Sequence, residues 1–301
     1  MSRRDPVATF GQIADTVSLF SHGRPGHVVD TLIAERGQKI VTHPLWPVMR
    51  PFIYSILRYD KAIEFANDIA NMPGFQAFEY LSAVLDLTIR VNDPERIPAK
   101  GGFILVSNHP TGIADGVAVF DLLKDRRPDM MFYANRDAVR VNPRFVEMII
   151  PVEWREEHKS KLKARETLKL TNHAVEQQKA TILFPSGRIA YWANGRLNER
   201  PWKSSAVGLA RKYDLPILPV HMKARNSGLF YWLAKWSTEL RDMTVFHELL
   251  NKKGDLFDFT IGNLIAPDQL EGYPVDVTRA LERHTVHTLT NDENACFGRH
   301  F

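Results

Sequence analysis

Short apolar runs alternate with stretches of helical periodicity over most of the chain after residue 86. Residues 87–91 alternate apolar and polar side chains, the pattern of a half-buried strand. Residues 103–106 form a continuous apolar run, typical of a strand buried on both faces. Strands separated by helices favour a mostly parallel central sheet flanked by helices. The predicted fold class is therefore α/β, with an N-terminal helical segment.

The same patterns predict the remaining elements. We expect helices at 44–59, 60–71, 75–85, 117–123, 156–179, 203–213, 227–249 and 276–290, and strands at 130–134, 181–184, 216–221 and 257–265. Three sections follow from this order: an N-terminal extension at 1–42, a helical segment at 43–86 and an α/β domain at 87–301.

The helix at 44–59 is crowded with apolar residues but also contains Arg50 and Arg58. It is too short and too charged to span a membrane. It can pack as a core helix, or it can lie in a membrane interface with Trp46 and Tyr54 as amphipathic anchors. The pattern leaves both arrangements open.

The strand at 103–107 leads into a polar turn that holds His109, and Asp115 follows near the start of the next helix. In open α/β sheets, ligands bind beyond the carboxyl ends of the strands, so this pair lies where a site is expected. A carboxylate is also favoured at a helix N-terminus by the exposed amides there. On these residues alone, Asp115 as a helix cap and His109 as a hydrogen-bonded loop histidine remain alternatives.

Two further strand ends carry polar side chains. Ser186 and Gly187 allow backbone amides to approach a ligand closely, and Arg188 can donate two hydrogen bonds to a phosphate. Asn135 and Arg136 follow another strand in the same way. Each stretch is, by itself, also consistent with a plain turn.

The formal charge of +4 and the isoelectric point near 9.1 favour an anionic partner. Nucleic acid, a phosphorylated metabolite, an acidic carrier protein and an anionic membrane all satisfy that condition. A basic helix face at Lys159, Lys161, Lys163 and Arg165 adds to the charge, although such runs are usually solvated surface. Nucleic-acid binding needs aromatic residues interleaved on a basic face, which the sequence lacks.

Cys296 is the single cysteine, which excludes intramolecular disulfides and CxxC motifs and favours a reducing compartment. The stretch from His247 to Asn251 lacks the second histidine of a zinc-protease motif, so we expect no metal site. No apolar run approaches the roughly 18 residues of a transmembrane helix, and polar residues such as Asp5 break any signal-peptide core. We therefore expect a soluble or peripheral protein.

Taken together, four ordered blocks resemble the glycerolipid acyltransferases, which include the lysophosphatidate and other lysophospholipid acyltransferases. The blocks are Asn108-His109-Pro110 with Asp115, then Asn135-Arg136, then Phe184-Pro185-Ser186-Gly187-Arg188, and finally Leu215-Pro216-Ile217-Leu218-Pro219-Val220. The resemblance runs from about Val91 to the C-terminus and leaves the first 40 or so residues uncovered. Four blocks in this order are far more specific than any one of them.

The resemblance implies an O-acyltransferase that moves a fatty acyl group from acyl-CoA or acyl carrier protein to a lysophospholipid-type hydroxyl. It implies that His109 is the general base and Asp115 the carboxylate that orients it. A hydroxyl is a poor nucleophile near pH 7, so a neutral imidazole must take its proton. The acyl thioester is a co-substrate, and no cofactor is expected. Acceptor contacts are implied for Asn108, Gly112, Asn135, Arg136, Ser186, Gly187 and Arg188.

Two departures from the family pattern concern the spacing and the acceptor. Five residues instead of the usual four separate His109 from Asp115, as in the NHP-x-G-x-x-D-G form of a bacterial, hemolysin-like branch, and Gly112 suits the extra residue. The third block commonly reads FPEGTR, but here Ser186 replaces the acid and one residue before Arg188 is missing. A non-phosphate acceptor such as a lyso-amino-acid lipid, and a non-catalytic lipid-binding protein, are the alternatives.

We expect peripheral contact with the cytoplasmic face of a membrane. The expected partners are that surface, the lipid acceptor and the acyl donor, and not nucleic acid. The residues that suit a membrane interface, besides the helix at 44–59, are the aromatic Phe230, Tyr231, Trp232 and Trp236 beside the basic Lys223, Arg225 and Lys235.

Overall fold

The computed structural model describes residues 26–153, 155 and 158–298. The α-helices are α1 (Val28–Arg36), α2 (Gln38–Val41), α3 (Trp46–Ile56), α4 (Tyr59–Ile69), α5 (Gly74–Leu85), α6 (Ile113–Leu123), α7 (Asp137–Val141), α8 (Lys161–Glu176), α9 (Ser205–Tyr213), α10 (Gly228–Trp236), α11 (Thr238–Met243), α12 (Val245–Leu250), α13 (Pro274–Arg283) and α14 (Leu289–Asn291). The strands are β1 (Thr88–Asn92), β2 (Phe103–Ser107), β3 (Met131–Asn135), β4 (Ile149–Val152), β5 (Ala180–Leu183), β6 (Tyr191–Ala193), β7 (Arg196–Asn198), β8 (Ile217–Lys223) and β9 (Leu256–Ile261).

Seven strands form one sheet in the order β1-β9-β8-β2-β5-β3-β4. The strands from β8 to β4 pair in parallel, while β9 pairs antiparallel with β8 and parallel with β1. The mostly parallel α/β architecture predicted from the sequence is therefore confirmed. Because β2, β3, β5 and β8 run in one direction, the residues that follow their carboxyl ends meet at one edge of the sheet.

Helices cover both faces of the sheet. On one face, α5 and α6 pack on the sheet in the largest core cluster, where Phe78 and Phe120 contact each other. On the other face, α9 and α13 form a second cluster with Ile104 and Val106 of β2. Every residue of β2 is buried, as its continuous apolar run predicts for a central strand.

The N-terminal helices pack on the rest of the chain. Val29 and Ile33 of α1 share a buried cluster with residues of α3 and α4. Ion pairs tie α1 to the α/β region, since Glu35 contacts both Arg140 and Arg155. The predicted division at residues 42 and 86 stays a prediction, and the part of the predicted extension before residue 26 lies outside the described residues.

Helix α3 exposes one apolar face. Leu45 just before it is 57% exposed, Val48 77% and Phe52 71%. Trp46 and Tyr54, the anchors of the interface alternative, are buried in the cluster with α1 and α4, as the core-helix alternative predicts. Tyr54 stacks on a neighbouring tyrosine and donates a hydrogen bond to an aspartate of α1. The aliphatic and phenylalanine side chains, not the predicted anchors, therefore form the exposed face.

The predicted aromatic helix at 227–249 is broken into α10, α11 and α12. The first break falls at Ser237, whose backbone is extended and whose hydroxyl accepts the N–H of Leu240 as an N-cap. Phe230, predicted to face a membrane, is buried, whereas Trp232 and Trp236 are 55% and 74% exposed. The broken helix thus presents the two tryptophans without the phenylalanine.

Two other predicted helices differ at their ends. The helix predicted at 156–179 begins at Lys161, since the Ser160 hydroxyl caps it, and it ends at Glu176, before Gln178 adopts a positive φ of 50°. The terminal helix starts at Pro274 and changes to a π-helical turn after Arg283. In residues 26–153, 155 and 158–298, no helix combines the length and the apolar character needed to cross a bilayer.

Candidate active site

His109 and Asp115 lie on the short turn that joins β2 to α6. The Nδ1 atom of His109 is 2.8 Å from Oδ2 of Asp115. Asp115 is fully buried, whereas the His109 side chain keeps 18% of its surface exposed. With Nδ1 protonated, the ring donates to the carboxylate, and Nε2 carries the lone pair. Nε2 has no hydrogen-bond partner among the residues described.

The Asp115 carboxylate is held by the turn that precedes it. Thr111 donates its backbone N–H and its hydroxyl, and Gly112 donates its backbone N–H at 3.0 Å. Hydrogen bonds from neutral donors stabilise the charged form of a buried carboxylate. Thr111 is a site residue that sequence reasoning missed; it lies one residue before Gly112, the N-cap of α6, and Asp115 is the third residue of that helix.

Gly112 allows the turn to carry its extra residue. Its φ of 99° lies in the region that favours glycine. A Cβ at this position would lie 2.7 Å from Cδ1 of Ile189, which is too close for any real contact. Gly112 therefore acts here through its backbone, and its predicted contact with an acceptor stays a prediction.

Asn108 fixes the end of β2 against β8. Its side-chain N–H donates to the carbonyl of Met222, and its side-chain oxygen accepts the N–H of the same residue, both at 2.8 Å. Both polar groups of Asn108 are thus occupied within the protein. The His109 ring, one residue later, stacks on Phe184 with 4.5 Å between ring centres.

The turn after β5 brings Ser186, Gly187 and Arg188 to the same edge of the sheet. The Ser186 hydroxyl donates to the carbonyl of Arg188 at 2.9 Å, and Gly187 adopts a φ of 62°. Arg188 is exposed and forms no ion pair within the described part of the chain. Lys203 adds a second cation, since its Nζ lies 3.8 Å from where a Cβ of Gly187 would be. An anionic group at this turn would meet both cations.

Asn135 and Arg136 lie further from His109, on β3, with β5 between β3 and β2. The side chain of Asn135 bonds to Asp137 through both its oxygen and its nitrogen. Arg136 forms an ion pair of 2.7 Å with Glu166 of α8. The structure places these two residues at the predicted edge of the sheet but in contacts with their own neighbours, and their role in acceptor binding stays a prediction.

A β-hairpin that the sequence analysis did not predict lies beside the site. Strands β6 and β7 pair antiparallel through a tight turn at Asn194 and Gly195, which both have positive φ. An Asn-Gly pair is the strongest local signal for such a hairpin and was present in the sequence. The hairpin starts after Ala190 and ends before Glu199, and both of these residues bond to the backbone of His109.

Glu199 brings a second carboxyl group to the site. Its Oε2 atom accepts the backbone N–H of His109 at 3.0 Å. Desolvation raises the pKa of this carboxyl above its usual range, against the effect of that hydrogen bond and of the Ser186 hydroxyl. Sequence reasoning missed Glu199 because 89 residues separate it from His109 in the chain.

Asn226 supports the turn from a third side. It follows β8, is buried, and donates its side-chain N–H to the carbonyl of Thr111 at 3.2 Å. The next residue, Ser227, bonds to the buried carboxylate of Glu248 through its backbone and its hydroxyl. The β2–α6 turn is therefore fixed by contacts from β8 and the hairpin as well as by its own residues.

The assembled groups suit one kind of chemistry. A buried carboxylate bound to one ring nitrogen of a partly exposed histidine leaves the other nitrogen free to take a proton from a hydroxyl or thiol. The carboxylate also stabilises the imidazolium that results. At the turn after β5, Arg188 and Lys203 supply two cations, which we call the cationic rim. The arrangement is therefore suited to general-base catalysis, with cations nearby that suit an anionic group.

Comparison with known proteins agrees with this chemistry. The Acyltransferase family model matches residues 88–223, which contain the β2–α6 turn and the turn after β5. A lyso-glycine lipid O-acyltransferase of Phocaeicola vulgatus is 25% identical over 220 residues, or 71% of this chain and 77% of that protein. A lyso-glycine lipid O-acyltransferase of Bacteroides thetaiotaomicron is 26% identical over 183 residues, or 61% of this chain and 65% of that protein, just under two thirds of its length.

Among solved structures, the crystal structure of the 1-acyl-sn-glycerophosphate (LPA) acyltransferase PlsC from Thermotoga maritima superposes with a TM-score of 0.46 at 14% identity, covering 88% of this chain and 99% of that one. The family match and the two relatives identify an acyltransferase enzyme. The family match over residues 88–223 and the two relatives also support the glycerolipid acyltransferase superfamily that the four sequence blocks predicted.

Proposed function

We propose that this acyltransferase moves a fatty acyl group from a thioester donor to the hydroxyl of a lyso-lipid. The observation that carries the proposal is the 2.8 Å contact between Nδ1 of His109 and the fully buried carboxylate of Asp115. His109 acts as general base: Nε2 takes the proton of the acceptor hydroxyl as its oxygen attacks the thioester carbonyl. The C–S bond then breaks, the leaving thiolate takes the proton from the His109 imidazolium, and the acceptor oxygen is left as an ester.

The acceptor class that we favour is a lyso-amino-acid lipid. Two relatives are named for a lyso-glycine lipid acceptor. The head group of such a lipid ends in a carboxylate, which Arg188 and Lys203 suit by charge. Ser186, in place of the acid common in the third block, leaves this part of the site without a negative charge at that position.

A lysophospholipid is the second candidate acceptor. The four blocks resemble lysophospholipid acyltransferases, and a phosphate also suits the cationic rim of Arg188 and Lys203. The donor is an acyl thioester on coenzyme A or on an acyl carrier protein.

We also propose that the enzyme works at a membrane surface, on its cytoplasmic face, as a peripheral protein. The support is the exposed apolar face of α3 with Val48 and Phe52, together with Trp232 and Trp236 of α10. A lyso-lipid acceptor is delivered at such a surface. Basic residues beside α10 add attraction to anionic lipids.

The test is an acyl-transfer assay with purified protein, long-chain acyl-CoA or acyl carrier protein as donor, and lyso-glycine lipid or 1-acylglycerol 3-phosphate as acceptor. Product is identified by mass spectrometry. We expect the diacylated glycine lipid as the main product, and we expect His109→Ala to lower turnover by roughly a hundredfold or more. Lys253→Gln, an exposed residue without an ion pair in the described residues, is the matched control.

Each outcome has a distinct meaning. Unchanged turnover in His109→Ala, with the variant folded, would show that His109 is not the general base. Preferred acylation of 1-acylglycerol 3-phosphate would replace the first acceptor class with the second. Binding of lipid without any product from either donor would favour a non-catalytic lipid-binding protein.

A further inference from the structure

The backbone of His109 is held from both sides by the two ends of the β6–β7 hairpin. At the start of the hairpin, Ala190 donates its N–H to the carbonyl of His109 at 2.8 Å. At the end, Glu199 accepts the N–H of His109 at 3.0 Å. The two hydrogen-bonding groups of one residue are therefore satisfied by one supersecondary unit. Any shift of that unit moves the histidine.

Glu199 makes this contact in surroundings that disfavour the charged form of its carboxyl. Its Oε1 atom is closed to solvent and has no hydrogen-bond partner within the described residues. Desolvation opposes its ionisation, and the nearby charge of Asp115 opposes it further. A neutral side chain with the same oxygen would bond the same N–H without burying a charge.

The location of Glu199 relates it to the third sequence block. Ser186 stands where that block commonly has an acid. The Ser186 hydroxyl lowers the pKa of the Glu199 carboxyl, against the larger effect of burial. Glu199, thirteen positions later in the chain, thus brings a carboxyl group close to the turn that contains Ser186. The hairpin is the element that delivers it.

We propose that Glu199 is a positioning residue for His109. The inference rests on the proposed role of His109 as general base. By holding the His109 N–H, Glu199 fixes the histidine so that Nδ1 meets Asp115 while Nε2 points to the acceptor hydroxyl. Glu199 acts through His109 and not on substrate, because its free oxygen is closed to solvent.

Positional error is costly in this kind of catalysis, since a displacement of about 1 Å lowers a rate by about a hundredfold. We therefore expect Glu199→Ala to lower kcat by about 10- to 100-fold, with KM for both substrates unchanged within about twofold. Glu199→Gln keeps an oxygen that accepts the His109 N–H, and we expect kcat within about threefold of the wild type. A loss in kcat without a change in KM separates positioning from substrate binding.

Glu199→Asp tests the position of the carboxylate oxygen while the charge is kept. This test remains informative even if Glu199→Ala does not fold. The shorter side chain keeps the negative charge but withdraws the oxygen by one methylene, so we expect it to lose kcat while Glu199→Gln retains it. Glu271→Gln, an exposed glutamate in a surface loop, is the control. Circular dichroism and Tm of each variant confirm that folded protein is compared.

The inference is overturned if Glu199→Ala keeps kcat within twofold, if Glu199→Gln loses as much as Glu199→Asp, or if KM rises while kcat stays constant. His109→Ala, measured in the same assay, keeps the two proposals apart. An inactive His109→Ala with a fully active Glu199→Ala removes only the role of Glu199. Full activity in both variants removes the general-base proposal itself.

Discussion

The Nδ1 atom of His109 and the Oδ2 atom of Asp115 are 2.8 Å apart across five intervening residues. The additional residue in this spacing does not separate the pair, because Gly112 adopts a φ of 99° and turns the chain into α6. The carboxylate is thereby aimed back along the turn at the histidine. The departure from the usual family spacing changes the path of the backbone and preserves the contact.

The carboxylate of Asp115 is expected to matter more for its charge than for its shape. Asp115→Asn replaces one acceptor oxygen with an N–H₂ group that faces the donors of Thr111 and Gly112. We expect kcat to fall by roughly 10²- to 10⁴-fold, because the histidine loses its tautomer and its counter-charge. Steady-state acyl transfer measures the effect, with exposed Asp125→Asn as the control. A loss below tenfold would contradict the role of Asp115.

Gly112 is expected to be intolerant of a side chain for two separable reasons. Gly112→Ala places a Cβ 2.7 Å from Cδ1 of Ile189 and also strains a backbone with positive φ. We expect the free energy of unfolding to fall by about 1–3 kcal/mol. Ile189→Val removes the Cδ1 atom, so the double variant recovers the part of the loss due to the clash. Urea denaturation of the four proteins in this cycle measures both parts.

The loss in free energy of unfolding is measured for Gly112→Ala against the wild type and for the double variant against Ile189→Val. Equal losses would show that the backbone strain accounts for the whole effect. A double variant as stable as Ile189→Val would show instead that the clash does. A stable Gly112→Ala would contradict both reasons.

His221 on β8 gives the stability a defined pH dependence. Burial lowers the pKa of its imidazole to about 4, and its Nδ1 lies 3.2 Å from the carbonyl of Thr285. In the unfolded chain the pKa is about 6.5, so the unfolded state takes up a proton first as the pH falls. The contribution of neutral His221 is complete above pH of about 6.5 and is lost progressively toward pH of about 4.

For this reason we expect the wild type to lose about 2 kcal/mol more of its free energy of unfolding between pH 7 and pH 5 than His221→Asn does. The asparagine keeps an N–H donor for the carbonyl of Thr285. Urea denaturation at the two pH values measures the difference, and exposed His43→Asn is the control. Parallel losses in wild type and His221→Asn would contradict the prediction.

The apolar face of α3 is expected to contribute to membrane binding. Val48→Ser with Phe52→Ser removes two side chains that are 77% and 71% exposed, and so removes little packing from the fold. Burial of such side chains in lipid is worth about 1.5–3 kcal/mol each, so we expect binding to anionic liposomes to fall by about tenfold or more. Flotation measures bound protein. Tyr273→Ser, which is 82% exposed beside α13, is the control.

If the wild type does not float with anionic liposomes at low salt, the membrane proposal is wrong. Equal flotation of the double variant and the wild type would show that the apolar face of α3 does not contribute to membrane binding. Trp232 and Trp236 would then be the next pair to replace.

Local patterns were sufficient for the central part of the fold. The apolar run of β2 predicted a strand buried on both faces, and every residue of Phe103–Ser107 is buried. The polar turn after it predicted His109 and Asp115 at the strand end, where their side chains are in contact, while their catalytic role stays a prediction. These predictions succeeded because strand burial and helix capping depend on residues close together in the chain.

Contacts between distant segments could not be read in the same way. Glu199 bonds to His109 across 89 intervening residues, and its own neighbourhood of Asn198 and Arg200 contains no sign of that partner. The sequence pattern left Trp46 open between a core helix and a membrane interface, and packing against α1 and α4 buries it. The chemical character of a side chain is compatible with several environments, and tertiary packing determines which of them it occupies.

Asn108 bonds Met222 with the same donor and acceptor pair that a peptide group would offer. The Asn108 side chain therefore adds one more pair of hydrogen bonds between β2 and β8 beyond the last residue of β2. The main chain can leave the sheet after Ser107 while Asn108 remains bound to β8. The imidazole of His109, one residue further on, therefore takes its position from the central strands of the sheet, through the side-chain amide of Asn108.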